Sequence, residues 1–398
     1  MWLSDLKIVL PDGVVEHGSI CIEGEHIVDM MDRPIHNSAS TFPVAGLTAI
    51  PGIIDMHGDM IEREMEPRPN ARLPLDLAAH ELDKRLAASG VTTAYAAVSF
   101  SEISIRFNNL RRHEVARDIV NALAEVRSEL TVDTRIHVRF EVTNPHAPPV
   151  LKELLSEGKV DLISLNDHTP GQGQYRDIQR YLKEMERWSK LSGDYEAVTL
   201  DTVRAAQERP VAWNVIRELA EIAHKHALKI TSHDDDTPEK IALMHELGVT
   251  MSEFPVSLEA AQAAHAHGMA VIMGAPNAFR GVSTSNNLSA RDGVRAGLVD
   301  LLAADYHPGL LLQAAFVLVQ EGLLPLHKAI KLISTNVATA LGLDDRGAIA
   351  VGKLADLVLV DESAGQPARP YVRATFRAGR PIYLHRQLAA QSMSTLVA

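Results

Sequence analysis

A histidine and an aspartate two residues apart, His57-Gly58-Asp59, close the apolar run IPGIIDMH. Side chains at i and i+2 of a strand share a face, so both can converge on one ion. Imidazole nitrogen with carboxylate oxygen is a donor set for Zn²⁺ and its neighbours, at about 2.0–2.2 Å. Other apolar runs end in Glu141, in Asp167 and His168, in His233 before Asp234-Asp235-Asp236, in Glu253, in Asn277, and in Asp305 with His307. An ionisable group at the end of an apolar run is costly unless it is paired or metal-bound. Singly, each reads as a cap or a packing residue. Recurring behind nearly every run, they read as one site. His57, Asp59 and His233 are its metal-ligand candidates, and Asp305 could both hold metal and accept a proton from a bound water.

Eighteen histidines against seven tyrosines is a high count, but most of them read as bland. His224 with His226 and His265 with His267 lie in helical runs, where i and i+2 are about 200° apart and cannot chelate. They are expected on the surface, as are His17, His26, His36 and His385 in the terminal regions. The three acids after His233 read as loop solvation or as helix capping before Pro238, for which Thr237 is a fair N-cap.

The elements that must carry these residues follow from periodicity. Residues 1–49 hold short alternating pieces, LKIVL and SICIEGEHIVDM, separated by Pro11-Asp12-Gly13. The far end, GAIAVGKLADLVLVD and YVRATFRAGRPIYL, behaves alike, so residues 1–49 and 345–398 are expected to pair into one small β-sandwich. Between them, residues 50–344 alternate apolar runs with helix-period stretches, the pattern of βα units and a parallel sheet. Strands are expected at 50–57, 91–100, 135–143, 160–167, 228–234, 249–255, 270–276 and 300–306, with a helical insertion at about 169–227. This predicts an α/β fold, a (β/α)₈ barrel, whose typical length is about 250 residues. A doubly wound open sheet is the competing fold, but no G-x-G-x-x-G follows any strand. In a barrel the chemistry lies at the C-terminal ends of the strands, where the polar set falls.

Composition bounds the function. A chain of 398 residues that is 46% hydrophobic can bury a core, which excludes intrinsic disorder. A net charge of −12 argues against nucleic acid as a partner, because neutralising phosphates needs a basic face. The single cysteine, Cys21, excludes an intrachain disulfide and a Cys-rich metal site, and fits a reducing compartment. No stretch approaches about 18 uninterrupted apolar residues, and the start has no basic region followed by an apolar one. A soluble, cytoplasmic protein with no membrane partner is expected; a homo-oligomer is left open.

PGIIDMHGD, the aspartate near the end of strand 8 and GAIAVGKLADLVLVD resemble the amidohydrolase superfamily of metal-dependent hydrolases. DMHGDMIEREMEPRP, SLNDHTPGQGQ, SHDDDT, SEFPVSLEAA, GAPNAFRGVSTSNNLSARD and DLLAADYHP resemble one branch of it, the diphosphatases of the carbon–phosphorus lyase pathway. The resemblance spans essentially the whole chain. It implies hydrolysis of α-D-ribose 1-methylphosphonate 5-triphosphate to the 5-phosphate and diphosphate, with Zn²⁺, Mn²⁺ or Fe²⁺ as one or two ions. By analogy, His57, Asp59 and Asp305 hold one metal, Glu141 bridges, and His168 and His233 serve the second. Asp305 would orient or deprotonate the attacking water. Three departures stand out: Asp59 replaces the second His of H-x-H, strand 4 carries no Lys, and strand 6 ends in Glu253 rather than His.

The loops suit a small anionic, phosphorylated sugar. Ala278–Arg291 carries Arg280 and Arg291, no acid, and hydroxyl groups that include Ser283 and Ser285. Ser101–His113 carries Arg106, Arg111 and Arg112 against Glu102, and Arg63, Arg68 and Arg72 follow the H-x-D motif. Arg280, Ser283, Ser285, Arg63 and Arg68 are therefore the substrate-binding candidates. An amide hydrolase of the N-deacylase or imidase type is the competing enzyme, since the same barrel serves carbonyl attack. A barrel scaffold without catalysis is the third reading, disfavoured by the joint presence of His57, Asp59, His168, His233 and Asp305.

Overall fold

Eight parallel strands follow one another in chain order around a barrel. They are β1 (Ile53–Gly58), β2 (Val91–Phe100), β3 (Asp133–Glu141), β4 (Leu162–Asn166), β5 (Lys229–His233), β6 (Met251–Glu253), β7 (Ala270–Gly274) and β8 (Leu301–Ala303). This is the (β/α)₈ barrel that periodicity predicts, in a computed structural model. It describes residues 1–35, 41–42, 44–68, 70–101, 110–192, 199–283, 287–363, 369–386 and 388–389.

The seam between last and first strand is closed by a parallel bridge from Gly58 to Asp305. The Asp59 N–H donates to the Asp305 carbonyl at 2.6 Å, and the Asp305 N–H to the His57 carbonyl at 2.9 Å. Below them the buried Asp55 carboxylate accepts the Ala304 N–H at 2.9 Å. Closure therefore sets the H-x-D motif directly beside Asp305.

The strands are buried on both faces, as expected where helices cover the outside. On β3, Ile136, Val138 and Phe140 join the main helix-facing core, while His137, Arg139 and Glu141 alternate with them. Ile54, Met56, Tyr95, Leu162, Met251, Ile272 and Leu301 form a second apolar cluster, with Val337 and Leu341 from the helix Thr335–Leu341. Strict alternation after Ile54 and Met56 would turn His57 away from that side. A register shift between Asp55 and Gly58 lets it point toward Glu253 and His233 instead, a common use of a bulge near a site.

The run read as a single strand, IPGIIDMH, divides at Gly52. Thr48–Pro51 pairs antiparallel with Leu357–Asp361 in the other sheet, and Ile53 begins the barrel. A side chain at Gly52 would meet Thr92 Oγ1 at 2.3 Å, so only glycine passes there. The second sheet has eight strands from both ends of the chain, around a core that includes Leu3, Leu6, Ile20, Ile27, Leu357 and Phe376.

Between β4 and β5 the chain makes a short turn of 3₁₀ helix at Gly173–Tyr175, then helices Ile178–Ser192, Leu200–Gln207 and Trp213–Lys225. Among the described residues no helix is long and apolar enough to cross a membrane.

Asp83, in the helix Leu75–Ala88, anchors the approach to β3. Its buried carboxylate accepts the Thr131 N–H at 3.1 Å, the Thr131 hydroxyl at 2.7 Å and the Val132 N–H at 2.8 Å. Asp83→Ala strands these donors and is expected to lower unfolding free energy by about 1–3 kcal/mol. Urea unfolding measures it; an unchanged midpoint would show that water replaces the carboxylate at no cost.

Candidate functional site

Glu253 ends β6 with no exposed surface. One of its oxygens, Oε2, lies 3.0 Å from His57 Nδ1 and 3.1 Å from His233 Nδ1, and accepts from the Ser164 hydroxyl at 3.3 Å. An ionised carboxylate only accepts, so both Nδ1 atoms carry hydrogen and both Nε2 atoms face away from it. The two rings stack, 5.3 Å apart and 15° from parallel. Burial alone would raise the Glu253 carboxyl, but His57 and His137 hold it well below the usual carboxylate range. Burial likewise works against a charge on His57, yet Glu253 and Asp59 raise its pKa to about 10. His233 moves the other way, well below the usual imidazole value, through burial and the charge of Arg139.

Arg139 comes from the middle of β3. Its Nη1 donates to both oxygens of Asp59, at 2.7 and 2.8 Å, and its Nη2 lies 3.1 Å from His233 Nε2. With the Asn166 amide oriented to satisfy its neighbours, its oxygen accepts from Arg139 Nε and Nη2, each at 3.2 Å. Despite burial, Arg139 and His57 keep the Asp59 carboxyl well below its ordinary value. His137, one turn of the pleat below, is fully buried edge-on to His57 at 5.2 Å, and burial lowers its pKa to about 3.

Glu141 closes β3 and grips His168. Its Oε1 accepts the His168 N–H at 2.8 Å, and its Oε2 lies 2.7 Å from His168 Nδ1. The free side of that imidazole, Nε2, lies 3.6 Å from Asp234 Oδ2, and His233 Nε2 lies 3.5 Å from the same oxygen. Asp234 Oδ2 is buried without a hydrogen-bond partner, and burial raises this carboxyl to about 6.

The acid run after His233 corrects the expectation of a solvated loop. Asp234 and Asp235 are buried, and the Asp235 carboxylate accepts from the hydroxyls of Ser232 and Ser252. Asp236 accepts the Gly173 N–H at 2.8 Å. Each acid thus has a separate internal task, and capping of the helix Pro238–Glu246 falls to Thr237, which accepts the Lys240 N–H at 3.2 Å.

These groups open into a cavity of about 540 Å³ lined by, among others, Asp59, Arg63, Arg139, Glu141, His168, His233, Asp234, Arg280, Ser283 and Asp305. Tyr175, Tyr181, Glu184 and Arg209 of the segment after β4 form part of its wall. Asp305 has left-handed backbone, φ 57°, and burial with the nearby Asp59 raises its carboxyl to about 7. Arg280 Nε donates to the Pro276 carbonyl at 3.2 Å, and the Arg63 guanidinium lies 5.5 Å from the centre of the Tyr306 ring. Arg68 is exposed and does not line the cavity. Ser285 lies outside the described residues, as do Arg106 and His36.

A metal fits these donors. His168, His233 and Asp234 bring ligand atoms within 4.8 Å of one another; His57, His233 and Glu253 are as close, but that group is already joined by Nδ1–H hydrogen bonds to Glu253. Asp234 Oδ2 is buried and lacks a hydrogen-bond partner, which is expensive for a polar atom that nothing coordinates.

Residues 168–383 match the model of the Amidohydrolase family. The chain belongs to the amidohydrolase family. It is 34% identical over 375 residues to the α-D-ribose 1-methylphosphonate 5-triphosphate diphosphatase of Escherichia coli (strain K12), covering 90% of this chain and 94% of that one. Among solved structures, a Xaa-Pro dipeptidase with bound methionine in its active site superposes with a TM-score of 0.65 at 16% identity, over 96% of this chain and 99% of the other. The N-acetyl-D-glucosamine-6-phosphate deacetylase of Mycobacterium smegmatis gives 0.65 at 17% identity, over 96% and 100%. Those two likenesses show the fold.

In this amidohydrolase the sequence candidates Asp59, Glu141, His168, His233 and Asp305 line the cavity at the mouth of the barrel, and His57 lies buried beside them, its Nε2 3.4 Å from Asp59. Residue patterns left four participants unassigned: Arg139, His137, Asp234 and the orienting role of Glu253. The signal for the first two was present in RIHVRFE, where His137, Arg139 and Glu141 alternate with apolar residues. Residues facing the inside of a barrel alternate with those facing out, so polar residues at every second position of a buried strand mark the interior. The histidines set aside stay away from the cavity lining: His17 and His26 are exposed, His224 contacts the Leu247 carbonyl at 3.2 Å, and His265 pairs with Asp300 at 2.8 Å.

Proposed function

We propose that this amidohydrolase is a metal-dependent diphosphatase. Its substrate would be α-D-ribose 1-methylphosphonate 5-triphosphate, cleaved to the 5-phosphate and diphosphate. The observation that carries the reading is the cavity: buried imidazole and carboxylate donors share it with Arg63, Arg280 and Ser283. A neutral amide would not need that cationic and hydroxyl lining. The name of the Escherichia coli relative supports the same substrate.

A divalent ion on these donors, Zn²⁺ first and Mn²⁺ or Fe²⁺ next, would supply Lewis acidity and lower the pKa of a bound water. Glu253 and Glu141 hold the imidazoles of His57, His233 and His168 in place from behind, through their Nδ1 atoms. Asp305, on the cavity wall, orients the attacking water and takes its proton at a carboxylate oxygen. Arg280, Arg63 and Ser283 bind the phosphates, which carry most of the substrate's charge and must be placed for in-line displacement.

The test sets metal-loaded protein against a ribose 5-triphosphate and an N-acyl amino acid. Diphosphate release from the first, with the second inert, is expected; amide cleavage without diphosphate release would overturn the reading. Arg280→Met should raise KM for the triphosphate about 10–100-fold, the loss of one charge-assisted hydrogen bond. An unchanged KM would remove Arg280 from the phosphate site.

A further inference from the structure

We infer that the metal centre of this chain is a single ion held by His168 Nε2, His233 Nε2 and Asp234 Oδ2, and that the Arg139 guanidinium is a resident cation occupying the place of a second. The assignment concerns donor geometry and holds whichever bond the enzyme cleaves.

The geometry of the donors points this way. The two imidazole nitrogens lie 3.6 and 3.5 Å from the same aspartate oxygen. Donors bound at 2.0–2.1 Å in a tetrahedral site stand about 3.4 Å apart, so little movement is needed to bind. Asp234 Oδ2 is buried with no hydrogen-bond partner, and the residue adopts left-handed backbone, φ 54°, fixed by its N–H donating to the Glu253 carbonyl at 2.9 Å. Non-glycine residues keep such backbone where the surroundings impose it, often at functional sites.

Each proposed ligand imidazole is also held from behind. Glu141 takes the His168 Nδ1 and Glu253 the His233 Nδ1, the carboxylate–histidine arrangement that orients metal ligands. Both Glu141 oxygens are occupied by His168, which makes that glutamate an orienting group rather than a bridge between ions.

On the other side, Arg139 covers the donors that a second ion would use. Its Nη1 engages both oxygens of Asp59, and Asn166 holds its Nε and Nη2. When His233 Nε2 turns to an ion, Nη2 keeps Asn166 as its acceptor. A guanidinium stays charged under all ordinary conditions, so it neutralises Asp59 permanently.

The experiment counts metal. Chelator-treated protein is equilibrated with Zn²⁺ and analysed by mass spectrometry of the bound metal, with the visible spectrum of the Co²⁺ form as a second readout. One ion per chain is expected. Arg139→Met should bring the count toward two by releasing Asp59, whose Oδ1 lies 3.4 Å from His57 Nε2. Asp234→Asn, nearly isosteric, should weaken Zn²⁺ binding at least about 10-fold, and Glu141→Gln about 10–100-fold with the count still at one. Two ions in the unaltered chain, or a count in Arg139→Met that stays at one, overturns the role of Arg139. Unchanged affinity in Asp234→Asn overturns the ligand set. Should that variant fail to fold, unchanged affinity in Glu141→Gln does so instead.

Discussion

Asp305→Asn should lower kcat for diphosphate release by about 10²–10⁴-fold, the contribution of a positioned general base, with little change in KM. The substitution is well matched to its purpose. Asparagine tolerates the left-handed backbone that Asp305 adopts, φ 57°, so the hydrogen bonds closing β8 against β1 should survive. What the variant loses is a carboxylate on the cavity wall that can take a proton. Steady-state diphosphate release at saturating metal measures the effect, with bound metal counted in parallel. A variant that retains wild-type kcat would remove Asp305 from the chemistry, whatever its part in the barrel seam.

Glu253→Ala carries the second large effect, on stability. The carboxylate is fully buried and receives hydrogen bonds from His57, His233 and Ser164 through a single oxygen, Oε2. Removing one member of a buried ionic pair leaves the others desolvated and unpaired, at a cost of about 3–5 kcal/mol. Chemical unfolding in the presence of chelator isolates this from metal binding. Glu253→Gln keeps an oxygen acceptor and should lose markedly less, so the expected order of stability is wild type, then Gln, then Ala. Equal midpoints for all three would mean that the histidines are positioned by packing alone. The same loss should loosen the two imidazoles and weaken metal binding, because orienting partners of this kind set ring direction.

Much of the fold was legible because its signals are local. VTTAYAAVSF and RIHVRFEVT carry enough continuous apolar character to be read as buried strands, and β2 spans the very residues that periodicity marks, Val91–Phe100. The division of IPGIIDMH between two sheets was not legible, since the close approach of Gly52 to Thr92 is a tertiary contact. Arg68 shows the same limit from the other side. Its place behind the H-x-D motif suggested the substrate cavity, but the chain leads it to the exposed surface.

By itself the sequence determined the barrel, the end of it at which the polar cavity lies and most of the polar residues found there, because a period of two and a strand terminus are written into short stretches of chain. Pairing was decided by tertiary structure. His57 and Glu253 are 196 residues apart, Arg139 and His233 94, and Arg139 and Asp59 80. No local pattern announces that one glutamate oxygen will serve two imidazoles, or that an arginine will lie across Asp59. Those partnerships form only when closure of the barrel turns residues from different strands toward one axis, where burial makes an unpaired charge too costly to keep.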